Sequence, residues 1–186
     1  KNPVLERFEH QLNVSGLKTH YTISPDFSWS CVNIDKIKLD FELNKYIVLF
    51  PFCSPHLTIK KWPYYNELID KINKKFPSKY KFVTAPGPNE IDQAKNINAL
   101  TILNKDKHLN IMELSSLIKE SSFVIGNDTG PAHMAAHLKV NGISLFGSHT
   151  TAKKVSIETE KFKAIQVADL TKLSAEKVLS KIEEKI

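Results

Sequence analysis

The sequence has 186 residues, and its 26 Lys and Arg outnumber its 20 Asp and Glu, which gives a formal net charge of +6 at pH 7. Apolar residues make up 41% and charged residues 25%, while 6 Gly and 9 Pro are too few for a collagen-like or low-complexity chain. The most apolar stretch, residues 46–52, is far shorter than the roughly 18 residues that cross a bilayer. These figures exclude fibrous, disordered and membrane-spanning classes and predict one domain with an appendage.

The positive charge is spread along the chain. Arg7 is the only arginine, the lysines alternate with acidic residues, and aromatic and basic residues do not interleave as they do in RNA-binding proteins. We therefore expect no nucleic-acid partner, whereas weak attraction to an anionic membrane surface is compatible with the charge. Cys31 and Cys53 are too few for a disulfide framework and form no C-x-x-C pair, so a reducing cytoplasm is the expected location.

The first 43 residues divide into a helix and a connector. Apolar residues recur at helical spacing over residues 3–12, and Gly16 follows as a typical C-terminal cap. Segment 17–43 has poor periodicity and is predicted to be a connector whose apolar side chains dock on the main body. Because the chain opens at Lys1 on a helix already under way, we expect residues 1–43 to be the end of a preceding domain and the chain to be a fragment.

After residue 44, strand and helix patterns alternate. The continuous apolar run at 46–50 is typical of a strand covered on both faces. The patterns that follow predict helices at 63–76, 88–97, 111–120, 131–138 and 174–186, and further strands at 81–84, 100–103, 123–126, 143–146 and 164–167. Short strands separated by helices specify βαβ crossovers, so the expected fold class is α/β, a Rossmann-like doubly wound parallel sheet. Ligands of such sheets bind beyond the carboxyl ends of the strands.

The strongest chemical signal is Gly-Asn-Asp-Thr-Gly-Pro-Ala-His at 126–133, which follows a predicted strand and opens a helix. Gly130 allows a ligand to approach the backbone, Thr129 offers a hydroxyl, Asp128 can accept from sugar hydroxyls, and His133 lies one turn into the helix. The alternative is that Asp128 or Thr129 only caps the helix. Three polar groups on one turn favour a phosphate-binding site. The Asp-Thr-Gly of aspartic proteases belongs to an all-β fold, which the following helix excludes.

Residues 128–138 read D-T-G-P-A-H-M-A-A-H-L, and the strand at 143–147 ends in Phe-Gly. These segments resemble glycosyltransferase family 9, which includes bacterial lipopolysaccharide heptosyltransferases and carries D-[ST]-G-P-x-H-x-A-A-x-L before a strand that ends in Phe-Gly. Upstream, Lys-Lys-Trp-Pro at 60–63 reproduces K-x-W-P, and residues 85–90 look like the family's Gly/Pro-rich turn with an acidic residue. The resemblance covers the chain from about residue 46 to residue 147.

The resemblance implies one half of a GT-B architecture, with residues 44–186 as the nucleotide-sugar-binding domain. It implies transfer of a heptose or related sugar from ADP-heptose to a lipopolysaccharide core or other glycan acceptor, by an inverting displacement that needs no metal or other cofactor. The general base, an aspartate of the N-terminal domain in such enzymes, would lie outside this sequence, so the chain alone is expected to be inactive. A cytoplasmic enzyme, peripheral on the inner face of the inner membrane, is expected.

The resemblance also implies a set of donor-binding residues, which are Lys60, Glu90, Asp128, Thr129, Gly130 and His133. Lys60 would contact the phosphates, and the alternative is a solvated lysine beside Trp62. Glu90 would take ribose hydroxyls, and the alternative is a first-turn carboxylate stabilised by the helix dipole. His133 and His137 are four residues apart, but Met134 replaces the Glu of H-E-x-x-H, so no metal is expected.

Two loops depart from the family pattern. Residues 52–58 replace a short G-A-S-like segment, which makes Ser54 and Thr58 weaker candidates for phosphate contacts. Leu109, at the entry to the helix predicted at 111–120, is a weaker candidate for the wall of an adenine slot, and the alternative is a core leucine. Gly-Ser-His-Thr-Thr at 147–151 replaces a P-T-D-P-like ending and leaves the donor sugar open. The alternative functions are a nucleotide-sugar epimerase of the same architecture and a non-catalytic nucleotide-binding or interaction module.

Overall fold

The structure is a computed structural model that describes residues 2–186. Its strands are β1 Tyr46–Phe50, β2 Lys81–Thr84, β3 Leu100–Thr101, β4 Phe123–Asn127, β5 Gly142–Phe146 and β6 Phe162–Gln166. Its α-helices are α1 Val4–Val14, α2 Asp35–Asp40, α3 Tyr65–Lys75, α4 Ile91–Ala94, α5 Ile111–Lys119, α6 Gly130–His137, α7 Ala152–Val155 and α8 Ala175–Ile182. Single 3-10 turns lie at Ser28–Ser30, Thr58–Lys60 and Leu170–Lys172. Within the described residues, none of the helices has the length and hydropathy of a membrane span.

The strands form one parallel sheet in the order β3-β2-β1-β4-β5-β6. β1 is central because it pairs with β2, where Tyr46 lies opposite Lys81, and with β4, where Ile47 lies opposite Phe123. The chain extends outward from β1 through β2 to β3, then crosses back to β4 on the other side of β1. The expected α/β, Rossmann-like doubly wound parallel sheet is confirmed, and its strand order reverses between β1 and β4.

The sheet is covered on both faces. Every residue of β1, β4 and β5 is buried, as expected for parallel strands between two helical layers. Alternate residues of each strand face opposite layers. On one face Val48 and Val124 pack with α2, α5 and α6, and on the other Ile47 and Ile125 pack with α3 and α8. The helices after β1 and β4 therefore leave towards opposite faces of the sheet.

Segment 17–43 docks on the main body, as expected, but it contains a helix that the sequence analysis missed. Ile34 and Ile37, at the start of α2 and within it, join the core of the first face. Ser30 Oγ lies 2.8 Å from Ser115 Oγ of α5, which fixes the segment to that helix. With only six residues, α2 is too short to show a helical period in the sequence. The assignment of residues 1–43 to a preceding domain stays a prediction.

Two other helices differ from the sequence-based expectation. The helix predicted at 88–97 is only the short α4, because Asn66 of α3 binds the backbone that follows it. The Asn66 amide nitrogen donates to the Asn96 carbonyl at 2.9 Å, and its Oδ1 accepts from the Asn98 N–H at 2.9 Å. α7 was not predicted, since a single turn has no period. Thr151 caps it through its hydroxyl.

Candidate functional site

A cleft lies at the carboxyl ends of β1 and β4, where the strand order reverses. The loops that leave these strands separate there, because α3 and α6 pack on opposite faces of the sheet. A cavity of about 440 Å³ opens between them. Most of the predicted donor-site residues line this cleft, namely Ser54, Lys60, Glu90, Leu109, Asp128, Thr129 and Gly130.

Asn127, the last residue of β4, ties the two loops together. Its Nδ2 donates to the Pro51 carbonyl at 2.9 Å, and its Oδ1 accepts from the Tyr65 hydroxyl at 3.1 Å and from the Trp62 N–H at 3.4 Å. The side chain is completely buried, so these partners satisfy its polar groups in place of water. The loop after β1 is thereby held at a fixed distance from the loop after β4.

Trp62 anchors the chain next to Lys60. The indole is 1% exposed, its Nε1 donates to the Leu173 carbonyl at 2.7 Å, and its ring lies edge-on to Tyr65 with centroids 5.0 Å apart. Lys60 ends the 3-10 turn that comes two residues before this anchor. Its side chain is only 20% exposed and is paired with Asp128, so it is not a freely solvated lysine.

Asp128 is the centre of a polar cluster at the base of the cleft. Its side chain is 5% exposed and accepts from three side chains. Lys60 Nζ and His149 Nε2 each lie 2.9 Å from Oδ2, and His133 Nε2 lies 3.2 Å from Oδ1. Lys60 Nζ also donates to the Asp128 backbone carbonyl at 3.2 Å. Side chains from the loops after β1 and β5, and from α6, therefore converge on one carboxylate.

The hydrogen bonds decide the charge state of Asp128. Burial alone would raise the pKa of the carboxyl, but the hydrogen bonds from His133, Lys60 and His149 and the charge of Lys60 outweigh burial and hold the pKa well below its usual value. An ionised carboxylate only accepts hydrogen bonds, so both imidazoles must present Nε2–H to it. Within residues 2–186, no group of three or more His, Cys, Asp or Glu side chains is arranged to hold a metal ion.

His149 is the member of the cluster that the sequence analysis missed. Its ring stacks on Phe146, with centroids 6.0 Å apart and planes at 10°. It lies in the loop after β5, in the segment that departs from the family pattern, and belongs to no motif. The only signal in the sequence was its place in a post-strand loop at the same edge of the sheet as the other site residues.

The N-terminus of α6 opens into the cleft. Thr129 is the N-cap residue, but its hydroxyl accepts from none of the described amides of the helix, so it does not act as a side-chain cap. Apart from Gly130 itself, its two chain neighbours and the adjacent helix backbone, no heavy atom of residues 2–186 lies within 4 Å of the place where a Cβ on Gly130 would stand. The Ala132 N–H donates to the Thr129 carbonyl at 3.0 Å, and Pro131 has no N–H. The Gly130 N–H and the helix dipole at this end favour an anionic ligand, and the space beside Gly130 allows it to come close.

Glu90 lies in the same cleft, after β2. Its Oε2 accepts from the Gly87 N–H at 2.8 Å, so one carboxylate oxygen is hydrogen-bonded to the backbone of the Pro-Gly-Pro turn. Leu109 is 8% exposed and belongs to the core as well as to the cleft wall, which agrees with both of its sequence-based interpretations.

Two predicted residues lie outside the wall of the cleft. Thr58 lines a separate cavity of about 230 Å³, together with Asp169 and Thr171, so the structure does not bring it to the other candidates. His133 does not line the cleft and joins the cluster through its contact with Asp128. Ser54 lies on the cleft wall, in the long loop after β1.

The family model for glycosyltransferase family 9 (heptosyltransferase) matches residues 8–183. The chain belongs to glycosyltransferase family 9. The match reaches beyond the motifs at 46–147 and includes segment 17–43, most of α1 and all of α8. No curated protein sequence matches the chain significantly.

Solved structures similar to this family 9 chain share its fold. E. coli heptosyltransferase WaaC with ADP-2-deoxy-2-fluoro heptose has a TM-score of 0.68 and 19% identity, covering 96% of this chain and 54% of WaaC. E. coli ADP-heptose lps heptosyltransferase II has a TM-score of 0.66 and 16% identity, and the match covers 91% of this chain and 52% of that protein. Methanocaldococcus jannaschii UDP-GlcNAc 2-epimerase, in complex with UDP-GlcNAc and UDP, has a TM-score of 0.56 and 14% identity, and the match covers 97% of this chain and 52% of that protein. The family 9 chain spans about half the length of these proteins.

Proposed function

We propose that the cleft binds the diphosphate of a nucleotide-sugar and that this chain is the donor-binding half of a heptosyltransferase. The observation that supports this most directly is the convergence of Lys60 and the N-terminus of α6 at the point where the strand order reverses. An ammonium group and the N-terminus of a helix are usual partners of phosphate oxygens. Both are held in place, Lys60 by Asp128 and the helix by the sheet.

The rest of the cleft suits a nucleoside. Its volume of about 440 Å³ lies within the usual range for small-ligand sites. Pro86, Leu109 and Leu114 supply apolar parts of the cleft wall. One oxygen of Glu90 is bonded to Gly87, and a carboxylate has further lone pairs that can accept from ribose hydroxyls.

ADP-heptose is the proposed donor, and a lipopolysaccharide core or other glycan is the proposed acceptor. One WaaC structure is described with an ADP-heptose analogue and a second with ADP, which supports this choice. In the proposed reaction, an acceptor hydroxyl attacks the anomeric carbon, the bond to ADP breaks, and the configuration inverts. Lys60 and the α6 dipole stabilise the charge on the leaving diphosphate without a metal. A part of the enzyme outside this chain supplies the general base, so the chain alone binds donor but does not transfer it.

We also infer that the enzyme works in the cytoplasm, peripheral to the inner face of the inner membrane. The free thiols of Cys31 and Cys53 support a reducing compartment, and the net charge of +6 supports attraction to anionic lipid. Co-sedimentation with anionic vesicles, lost at high salt and absent with zwitterionic vesicles, is the expected result. Equal recovery with both vesicle types would contradict the membrane part of this inference.

Calorimetric titration of the chain with ADP, ADP-heptose, UDP-GlcNAc and NAD tests the donor site. We expect ADP and ADP-heptose to bind, and Lys60→Ala to weaken binding by roughly 1–3 kcal/mol, the contribution of a charge-assisted hydrogen bond. Lys61→Ala is the matched control, because Lys61 is the exposed neighbour and does not line the cleft. If both variants bind ADP like the unmodified chain, the site does not lie at Lys60.

A nucleotide-sugar epimerase is the second candidate, favoured by the structural likeness to UDP-GlcNAc 2-epimerase, although its TM-score of 0.56 is lower than the 0.68 of WaaC. Binding of UDP-GlcNAc in preference to both ADP ligands would support the epimerase. A folded sample that binds no nucleotide would support the non-catalytic interaction module.

A further inference from the structure

The loop after β5 reaches the cleft through His149. β5 pairs with β4 so that Leu145 lies opposite Asn127, which places the following loop beside Asp128. At Gly147 the loop passes close to the turn that carries Lys60, since a Cβ there would lie 3.3 Å from the Ile59 carbonyl oxygen. The loop after β5 therefore contacts both the loop after β1, which carries Lys60, and the loop after β4, which carries Asp128.

The two ring nitrogens of His149 are in very different environments. Nε2 donates to Asp128 Oδ2 at 2.9 Å, whereas Nδ1 is buried and has no hydrogen-bond partner among residues 2–186. The side chain is 10% exposed, so solvent does not readily compensate Nδ1. Leaving a buried polar atom unpaired destabilises a fold. The ring of His149 is therefore placed so that Nε2–H reaches Asp128, although this leaves Nδ1 without a hydrogen bond.

His149 is one of three donors that restrain the orientation of the Asp128 carboxylate. His133 bonds Oδ1, and Lys60 and His149 share Oδ2, so the carboxylate plane is set by donors on both oxygens. Lys60 has a flexible four-carbon stem and depends on a fixed acceptor for its position. With Asp128 only 5% exposed, water cannot simply replace a lost donor.

We propose that His149 is a positioning residue of the donor site, which donates Nε2–H to Asp128 and so aligns Lys60 with the phosphates of the nucleotide. This rests on the proposed function, because nucleotide affinity is what the alignment serves. His149 itself does not line the cleft, so it acts through Asp128 and Lys60.

Two substitutions at the same position separate the hydrogen bond from the stacked ring. His149→Phe keeps a ring against Phe146 but removes the donor. His149→Gln removes the ring but carries an amide N–H of similar reach. His137→Gln is the matched control, because His137 lies in α6, is half-buried and lines a different cavity. We expect ADP to bind His149→Phe about tenfold more weakly, equal to about 1.4 kcal/mol, and to bind His149→Gln and His137→Gln within about threefold of the unmodified chain.

The opposite pattern, with affinity kept in His149→Phe and lost in His149→Gln, would show that the ring is structural and would overturn the proposal. Carbon-13 NMR titration of the Asp128 carboxyl is a second readout that needs no ligand. We expect its pKa to rise in His149→Phe and to stay low in His149→Gln. If the unmodified chain binds no nucleotide, the proposed function fails separately, and the NMR result alone decides, with an unchanged pKa in His149→Phe overturning the positioning role.

Discussion

Replacing Asp128 with Asn tests whether the cluster at the base of the cleft is a buried electrostatic unit. Asn keeps the shape of Asp but removes the charge, and one of its two terminal atoms becomes a donor facing Lys60 and His149 or facing His133, which are themselves donors. The side chains of Asp128 and Lys60 are 5% and 20% exposed, so the remaining ammonium has little access to water. Removing one partner of a buried pair costs about 3–5 kcal/mol, and the partial exposure of Lys60 lowers the expected loss of unfolding free energy to about 2–4 kcal/mol.

Urea denaturation followed by circular dichroism measures this loss, with Asp92→Asn as the matched control. Asp92 also pairs with a lysine, at 2.7 Å from Lys95, but its side chain is 91% exposed and that of Lys95 is 72% exposed. Exposed pairs contribute little, so we expect Asp92→Asn to leave stability unchanged. If Asp128→Asn were as stable as Asp92→Asn, solvent would have to reach Asp128, and the reasoning from its burial would be refuted.

Three further results are expected. The folded-state pKa of Asp128 is depressed, so its stabilisation is complete above the usual pKa and is lost as pH falls towards the folded-state pKa. The difference in unfolding free energy between the unmodified chain and Asp128→Asn should therefore shrink below about pH 4 in urea titrations. A difference that stays constant from about pH 5 to about pH 2 would contradict this expectation. Gly130→Ala should leave the free energy of unfolding unchanged or raise it by about 0.4–1 kcal/mol, because the structure leaves room for the new methyl group. The same variant should bind ADP about tenfold more weakly in calorimetry. Undiminished affinity would mean that phosphate does not approach this backbone. Gly142→Ala should lower the free energy of unfolding, measured by calorimetry, by about 1–3 kcal/mol. The reason is that its Cβ would lie 2.5 Å from the Phe162 ring and 2.7 Å from the Val124 carbonyl oxygen. A neutral effect would show that β6 can shift freely.

The central strands could be predicted because burial on both faces gives a continuous apolar run. β1 and β4 each have five buried residues, and their predicted bounds differ from the observed ones by at most one residue. Short elements could not be predicted in this way, since α2 and α7 span fewer than two turns. The end of α4 depends on Asn66, about 30 residues away in the sequence, which no local pattern reveals.

Most of the predicted donor-site residues line one cleft, but their cluster could not be predicted, and their contact with a donor stays a prediction. Lys60 and Asp128 were each expected to contact the donor, whereas their pairing with each other follows from the reversal of strand order. His149 belongs to no motif, and its role depends on the register between β4 and β5. Thr58 is near Lys60 in sequence, yet the 3-10 turn directs it to another cavity.

The cluster around Asp128 has a consequence for folding. Its bond to Lys60 spans 68 positions of the chain, and its bond to His149 spans 21. Contacts between distant positions form only after long loops have closed. β4 must therefore pair with β1 before the cleft exists, and a chain in which only β1 to β3 have assembled lacks the cleft. A nucleotide that binds there stabilises the fully folded chain alone, so the unfolding midpoint should rise with ligand concentration.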